Sequence, residues 1–214
     1  MADVEEAEVL REYGPFPDAP EVNGVTFDGR CVWLAVGQRM LAVAPDTGDV
    51  VRTIEAPAEA GSAFDGRFLY QISGSTIQKI EHQSGKVVST VRAPCASMSG
   101  MAWADGYLWI GEYTASKVHQ VDPETGALVR SLVSDRFVTG VTWVQGELWH
   151  GTMQGDSSEL RELDPETGVV RRRIALPQGT VVSGLESNGS DVFYCGGASS
   201  GKLRAIRRSE RPKR

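Results

Sequence analysis

Apolar residues in this chain fall in short runs broken by glycine-bearing turns, and the runs return in sets. The stretch from Ser99 to Leu132, SGMAWADGYLWIGEYTASKVHQVDPETGALVRSL, holds one complete set. Its opening Gly100 has counterparts at Gly24, Gly61, Gly140 and Gly184, spaced 37 to 44 residues apart. Three positions on stands an aromatic column, Phe27, Phe64, Trp103 and Trp143, with Ser187 in the fifth copy. A Gly turn follows at Gly29, Gly66, Gly106, Gly146 and Gly189, then a second aromatic column at Trp33, Tyr70, Trp109, Trp149 and Phe193. Each of the first four copies continues through a short apolar strand, a Thr-Gly or Ser-Gly turn and a β-branched run such as VVRTI or VVSTV.

A unit of roughly 40 residues carrying four short strands predicts an all-β chain, a β-propeller of four-stranded antiparallel blades. Five units make it five-bladed, in a single domain over 1–214, with blades at about 21–56, 60–92, 98–133, 138–176 and 182–208. The fifth unit holds only three strands. VLREY at Val9–Tyr13 resembles the final strands of the other units and is expected to complete the last blade, which removes the ring's two open edges.

Hydrophobic residues make up 41% and charged residues 23%, which is ordinary for a globular domain. A net charge of -6 argues against a nucleic-acid partner, since phosphate binding needs a concentrated basic face. Basic residues do crowd the C-terminus (Lys202, Arg204, Arg207, Arg208, Arg211, Lys213, Arg214), and acidic ones the N-terminus. Closure by the N-terminal strand sets the two groups beside each other. No run approaches the roughly 18 apolar residues of a membrane span, and no signal-peptide pattern opens the chain, so a cytoplasmic monomer without a membrane partner is expected. Cys31, Cys95 and Cys195 are odd in number and widely spaced, and read as free thiols. The two DPETG copies, Asp122–Gly126 and Asp164–Gly168, read as β-turns and not as metal loops.

Candidate chemistry lies where one blade departs from the others. One residue past the second aromatic the column reads Leu34, Gln71, Ile110, His150, Tyr194. Two past the opening Gly it reads Thr26, Ala63, Ala102, Thr142, Glu186, and three past the second aromatic, Val36, Ser73, Glu112, Thr152, Gly196. His150, Glu112 and Glu186 are therefore the candidate catalytic residues, for acid-base chemistry or, through Glu112 or Glu186, a divalent cation. Each also has a structural reading: His150 as a blade-interface residue, Glu112 as a rim residue, Glu186 as the partner of a buried group. His82 and His119, on third strands or the turns after them, lie away from the axis. Asn23, Ser99, Thr139 and Ser183 precede the inner glycines and form a polar ring at the channel mouth, suited to a small ligand or to ordered water. With Tyr113 and Met153 they are the candidate substrate-binding residues. Variable connections, among them Met153–Glu159, gather on that same face.

NGVTFDGRCVWLAVG and LWIGEYTASKVHQVDPETG resemble blades of the glutamine cyclotransferase (plant-type glutaminyl cyclase) family, which are five-bladed propellers. The second stretch is also similar to the repeats of streptogramin (virginiamycin B) lyase. The first resemblance implies a catalytic Glu after the aromatic of the first blade's second strand, where this chain has Leu34 and Ala35. The second implies a role for Glu112 and, with it, for His150 as general base. A small-molecule enzyme of lyase, cyclase or hydrolase type is thus expected at the axial funnel, with a non-catalytic protein-interaction propeller as the alternative.

Overall fold

The computed structural model describes residues 4–208. Alternation along each apolar run sends successive side chains toward the two neighbouring blades, so the runs form strands buried on both faces. Strands β1 (Val4–Glu6) and β2 (Val9–Tyr13) precede the repeats. Blade one holds β3 (Gly24–Phe27), β4 (Val32–Ala35), β5 (Met40–Val43) and β6 (Val50–Ile54); blade two holds β7 (Ser62–Phe64), β8 (Phe68–Ser73), β9 (Thr76–Glu81) and β10 (Val87–Arg92). Blade three holds β11 (Met98–Ala104), β12 (Tyr107–Glu112), β13 (Lys117–Val121) and β14 (Leu128–Val133). Blade four holds β15 (Phe137–Val144), β16 (Glu147–Gln154), β17 (Ser157–Leu163) and β18 (Val170–Ala175); blade five holds β19 (Gly184–Ser187), β20 (Val192–Gly196) and β21 (Leu203–Arg207). The chain is a five-bladed β-propeller, each blade an antiparallel meander. No helix among the described residues is long and apolar enough to cross a membrane.

Blade five is completed by β2, which pairs antiparallel with β21 through Glu12↔Arg204 and Tyr13↔Leu203. Charge follows the pairing: Glu12 takes Arg204 at 2.9 Å and also meets Lys202, while Glu8 takes Arg207 at 2.5 Å. Arg211, Lys213 and Arg214 lie outside the described residues. One element has no counterpart in the sequence reading. β1 lies parallel to β18 as a fifth strand of blade four, in the register Val4↔Arg173 to Glu6↔Ala175.

The opening glycines are required by the approach of neighbouring inner strands. A Cβ at Gly61 would stand 2.5 Å from Gly100 C, one at Gly140 2.6 Å from Leu185 N, and one at Gly184 2.6 Å from Val25 N. The last of these joins blade five to blade one. Between blades the two aromatic columns meet: Tyr70 stacks on Trp103 (5.3 Å) and Trp109 on Trp143 (5.7 Å). Where Ser187 breaks the first column, Trp149 packs on Phe193 instead, at 5.1 Å. Between Trp33 and Phe64 the ring of His82 is inserted, at 5.5 and 5.1 Å. The DPETG segments are turns, with the Asp122 and Asp164 carboxylates accepting the two following backbone N–H groups.

Candidate functional site at the axial mouth

The residues just before the inner glycines come from five different blades, and the ring brings them to one end of the channel. There a cavity of about 300 Å³ is lined by Asn23, Ser99, Tyr113, Thr139, Met153 and Ser183, together with Glu59, Ala60, Val181 and Val182. All six expected substrate-binding residues thus share one cavity. Sequence comparison missed Glu59, although two positions before the opening Gly the column reads Val22, Glu59, Met98, Val138, Val182 and Glu59 is its one polar member. Its Oε2 accepts the Gly74 N–H at 2.7 Å, which fixes the carboxylate at the rim.

The hydroxyls of the ring also fasten blade to blade. Ser99 Oγ donates to Val138 O at 2.7 Å, and Ser183 Oγ donates to Val22 O. Blade two has Ala60 in this column, and Gln71 Nε2 donates to the Ala60 carbonyl at 2.9 Å. Thr139 Oγ1, buried beside the cavity, has no hydrogen-bond partner among the described residues. The donor hydrogens of Ser99 and Ser183 are therefore committed to carbonyls, and what they offer a ligand is lone pairs. Tyr113 is held against Phe137, ring to ring at 4.8 Å, and its N–H donates to Ser97 O at 2.9 Å.

The three expected catalytic residues do not converge on this cavity. Glu186 lies in β19, three residues after Ser183 and roughly 10 Å along an extended chain. Its carboxylate accepts Thr142 Oγ1 at 2.5 Å, Thr26 Oγ1 at 3.0 Å and the Ser187 N–H at 2.8 Å. Desolvation outweighs these bonds and pushes its pKa up to about 7. Thr26 and Thr142 occupy its own column on the flanking blades, so Glu186 spans a gap that small side chains leave.

His150 is fully buried, its Nδ1 3.3 Å from Gly151 O and its Nε2 without a partner among the described residues. Burial lowers its pKa to about 4, so the ring is neutral at pH 7. Its column explains the placement: Leu34 packs in the layer with Val25 and Tyr194, and Ile110 in that with Tyr70 and Met101. Leu34, Gln71, Ile110 and His150 are all fully buried at this position. His150, Glu112 and Glu186 are not among the residues that line the mouth cavity.

Glu112, at the end of β12, points to a different neighbour. Its Oε2 lies 3.0 Å from His119 Nε2, and His119 Nδ1 lies 2.8 Å from Ser131 Oγ. His119, expected away from the axis, has its ring nitrogens on Glu112 and Ser131. The pairing brings it to Glu112 because Ile110 is opposite His119 and Glu112 is the next residue on the same face.

No protein-family model and no curated protein sequence matches the chain. Among solved structures, the chain is similar to glutaminyl cyclase from Myxococcus xanthus, with a TM-score of 0.79 and 18% identity over 97% of this chain and 98% of that one. A chain of the mitotic checkpoint complex aligns with a TM-score of 0.59 and 12% identity, over 94% of this chain and 92% of that one. The β-propeller domain of Cps50 (Swd1) from Myceliophteria thermophila gives 0.57 and 11%, over 95% of this chain and 100% of that one. At these identities the likeness is one of fold.

Proposed function

We propose that the axial mouth binds a small amine-bearing molecule and acts on it by proton transfer through Glu59, as an enzyme of cyclase, lyase or hydrolase type. The observation that carries this reading is the convergence of side chains from all five blades on one cavity around a single carboxylate. Ser99 and Ser183 present lone pairs, Glu59 a negative charge, and Met153, Val181 and Val182 an apolar wall, a set that complements a protonated amine on a short apolar stem. Glu59 is the base in this reading because it is the one carboxylate at the cavity. Glutaminyl cyclisation, the activity that the Myxococcus xanthus protein is named for, belongs to this class. Its chemistry needs little more than one carboxylate: the carboxylate takes a proton from the ammonium, the freed amine nitrogen attacks the side-chain carboxamide carbon, and that proton and one more from the attacking nitrogen pass to the amide nitrogen, which departs as ammonium. Glu59 would supply that transfer, since Leu34 and Ala35 are buried and apolar.

The test is ammonia release from a dipeptide with N-terminal Gln, alongside calorimetric binding of the same dipeptide, for the parent and for Glu59→Gln. Turnover that the variant loses, with binding at least tenfold weaker, supports the reading. Binding without turnover keeps the ligand site and removes cyclisation; binding that Glu59→Gln leaves unchanged overturns the site.

A second reading, a protein-interaction propeller, is favoured by exposed apolar side chains on this face, Phe137 at 44% and Val181 at 36% exposure. A partner recovered by pull-down with the parent and lost on replacing both residues by Ser would establish it.

A further inference from the structure

Between blades two and three lies a cluster that the mouth does not use. Cys95 sits in the connection from β10 to β11, Glu112 ends β12 and His119 lies in β13. One potential ligand atom from each, the Cys95 Sγ, a Glu112 carboxylate oxygen and a His119 ring nitrogen, lies within 4.8 Å of the other two. His119 is buried, while Cys95 and Glu112 are half-buried.

His119 is presented in the manner of a metal ligand. Ser131 stands opposite it on β14 and takes its Nδ1 at 2.8 Å, which leaves Nε2 turned toward Glu112 and Cys95. A metal-bound imidazole is commonly held in just this way, its second nitrogen tied to a neighbouring oxygen that fixes ring orientation and tautomer. Nε2 and the Glu112 carboxylate are 3.0 Å apart. We propose that a zinc-class divalent cation binds at this cluster, held by Cys95 Sγ, Glu112 Oε2 and His119 Nε2.

The donor set selects the metal. One thiolate, one imidazole and one carboxylate suit Zn²⁺ and its neighbours, whereas Ca²⁺ and Mg²⁺ take oxygen alone. Metal–ligand bonds of about 2.0 to 2.3 Å put the ligand atoms of a tetrahedral site roughly 3 to 4 Å apart. The cluster therefore needs a contraction of about 1 Å, which the connection carrying Cys95 can supply because Ala96 and Ser97 beside it are exposed. Binding requires the Cys95 thiol to give up its proton, since the thiolate is the ligand. Without a metal, burial and the Glu112 charge push the Cys95 thiol up to about 11, so the cluster is not arranged for a nucleophilic cysteine. Three protein ligands leave a fourth position for water.

Position gives the site a consequence for the mouth. Tyr113 follows Glu112 and donates its N–H to Ser97, two residues after Cys95. A metal held by Cys95 and Glu112 fastens the two segments that this bond joins, and so steadies the tyrosine that lines the cavity. The metal site itself does not rest on the ligand or chemistry assigned to that cavity.

The experiment is titration of chelator-stripped full chain with Co²⁺ and then Zn²⁺. One equivalent of Co²⁺ should give a thiolate-to-cobalt charge-transfer band with the visible spectrum of a four-coordinate ion, and Zn²⁺ should displace it. Cys95→Ser should abolish the charge-transfer band, His119→Gln and Glu112→Gln should each weaken Zn²⁺ binding at least tenfold, and Cys31→Ser should change nothing. Ser131→Ala, which leaves all three ligands in place, should keep the band and bind roughly tenfold more weakly. Absence of stoichiometric binding, or a band that persists in Cys95→Ser, overturns the proposal. Should His119→Gln not fold, as judged by circular dichroism, the half-buried Cys95 decides alone.

Discussion

Ser183 donates its hydroxyl hydrogen to the carbonyl of Val22, a residue 161 positions earlier, so the last blade is fastened to the first at the rim of the channel. The same oxygen accepts the Ala198 N–H at 3.0 Å. Ser183→Ala should lower stability by about 1 to 2 kcal/mol, since it removes both bonds and no large apolar contact. The shift of the urea midpoint measures this, and a shift within error would show that the bonds add nothing net.

A heavier penalty is expected at the neighbouring glycine. Gly184→Ala would set a methyl 2.6 Å from Val25 N and 2.8 Å from Gly24 C, backbone atoms that cannot swing aside as a side chain can. The loss should reach about 3 kcal/mol or more, beyond ordinary overpacking of a side-chain core. Equal stability of parent and variant in urea would mean that the five inner strands can move apart.

Glu186 makes stability depend on pH in an unusual direction for a carboxylate. Its folded pKa, about 7, lies above the ordinary 4.5, so the folded protein holds a proton that the unfolded chain has released. Stability is fully present below pH 4.5 and is lost as pH rises toward 7, by an amount on the order of 3 kcal/mol. Glu186→Gln should remove that slope, and the difference between variant and parent should grow from pH 4.5 to 7 and then level off. A difference that is flat over this range would mean that the folded protein holds Glu186 ionised.

His150 acts in the opposite sense. Its folded pKa of about 4 lies below the ordinary 6.5, so its contribution is present above pH 6.5 and is lost as pH falls toward 4. His150→Leu, which restores the residue type of blade one, should resist acid better than the parent, with a gain on the order of 3 kcal/mol near pH 4. It should leave ligand binding at the mouth unchanged. Loss of binding in a folded His150→Leu would return this histidine to the site.

The repeat made the fold legible, because packing of blade on blade demands the same residue type at the same place five times. Polar residues at the mouth were legible for a related reason: Asn23, Ser99, Thr139 and Ser183 sit next to glycines that mark the axis. Departures from the repeat were less informative than their rarity suggested. His150 departs within the packing layer, where an outlier alters the core without lining the mouth cavity. Glu59 departs from an apolar column, Val22, Met98, Val138 and Val182, two positions before the opening Gly, a column outside those that were compared. Cys95, Glu112 and His119 belong to a connection and two strands, and only the pairing of Ile110 with His119 brings them together. The parallel strand β1 leaves no trace in the repeat, because a single addition to the outer edge of blade four has no second copy to be compared with.

That strand and its successor bear on how the molecule is made. β1 waits for β18 and β2 for β21, so the segments that precede the repeats are among the last to find their partners. Until then Val9 and Leu10, both still partly exposed in the finished ring, have no sheet to join. Contacts that join the two ends of a sequence form slowly, because the loop between them must close first. A chain cut short before Leu203 would leave β2 unpaired and blade five with an open edge, the condition that invites aggregation. Closure of the ring thus doubles as a check that translation has run through the fifth blade.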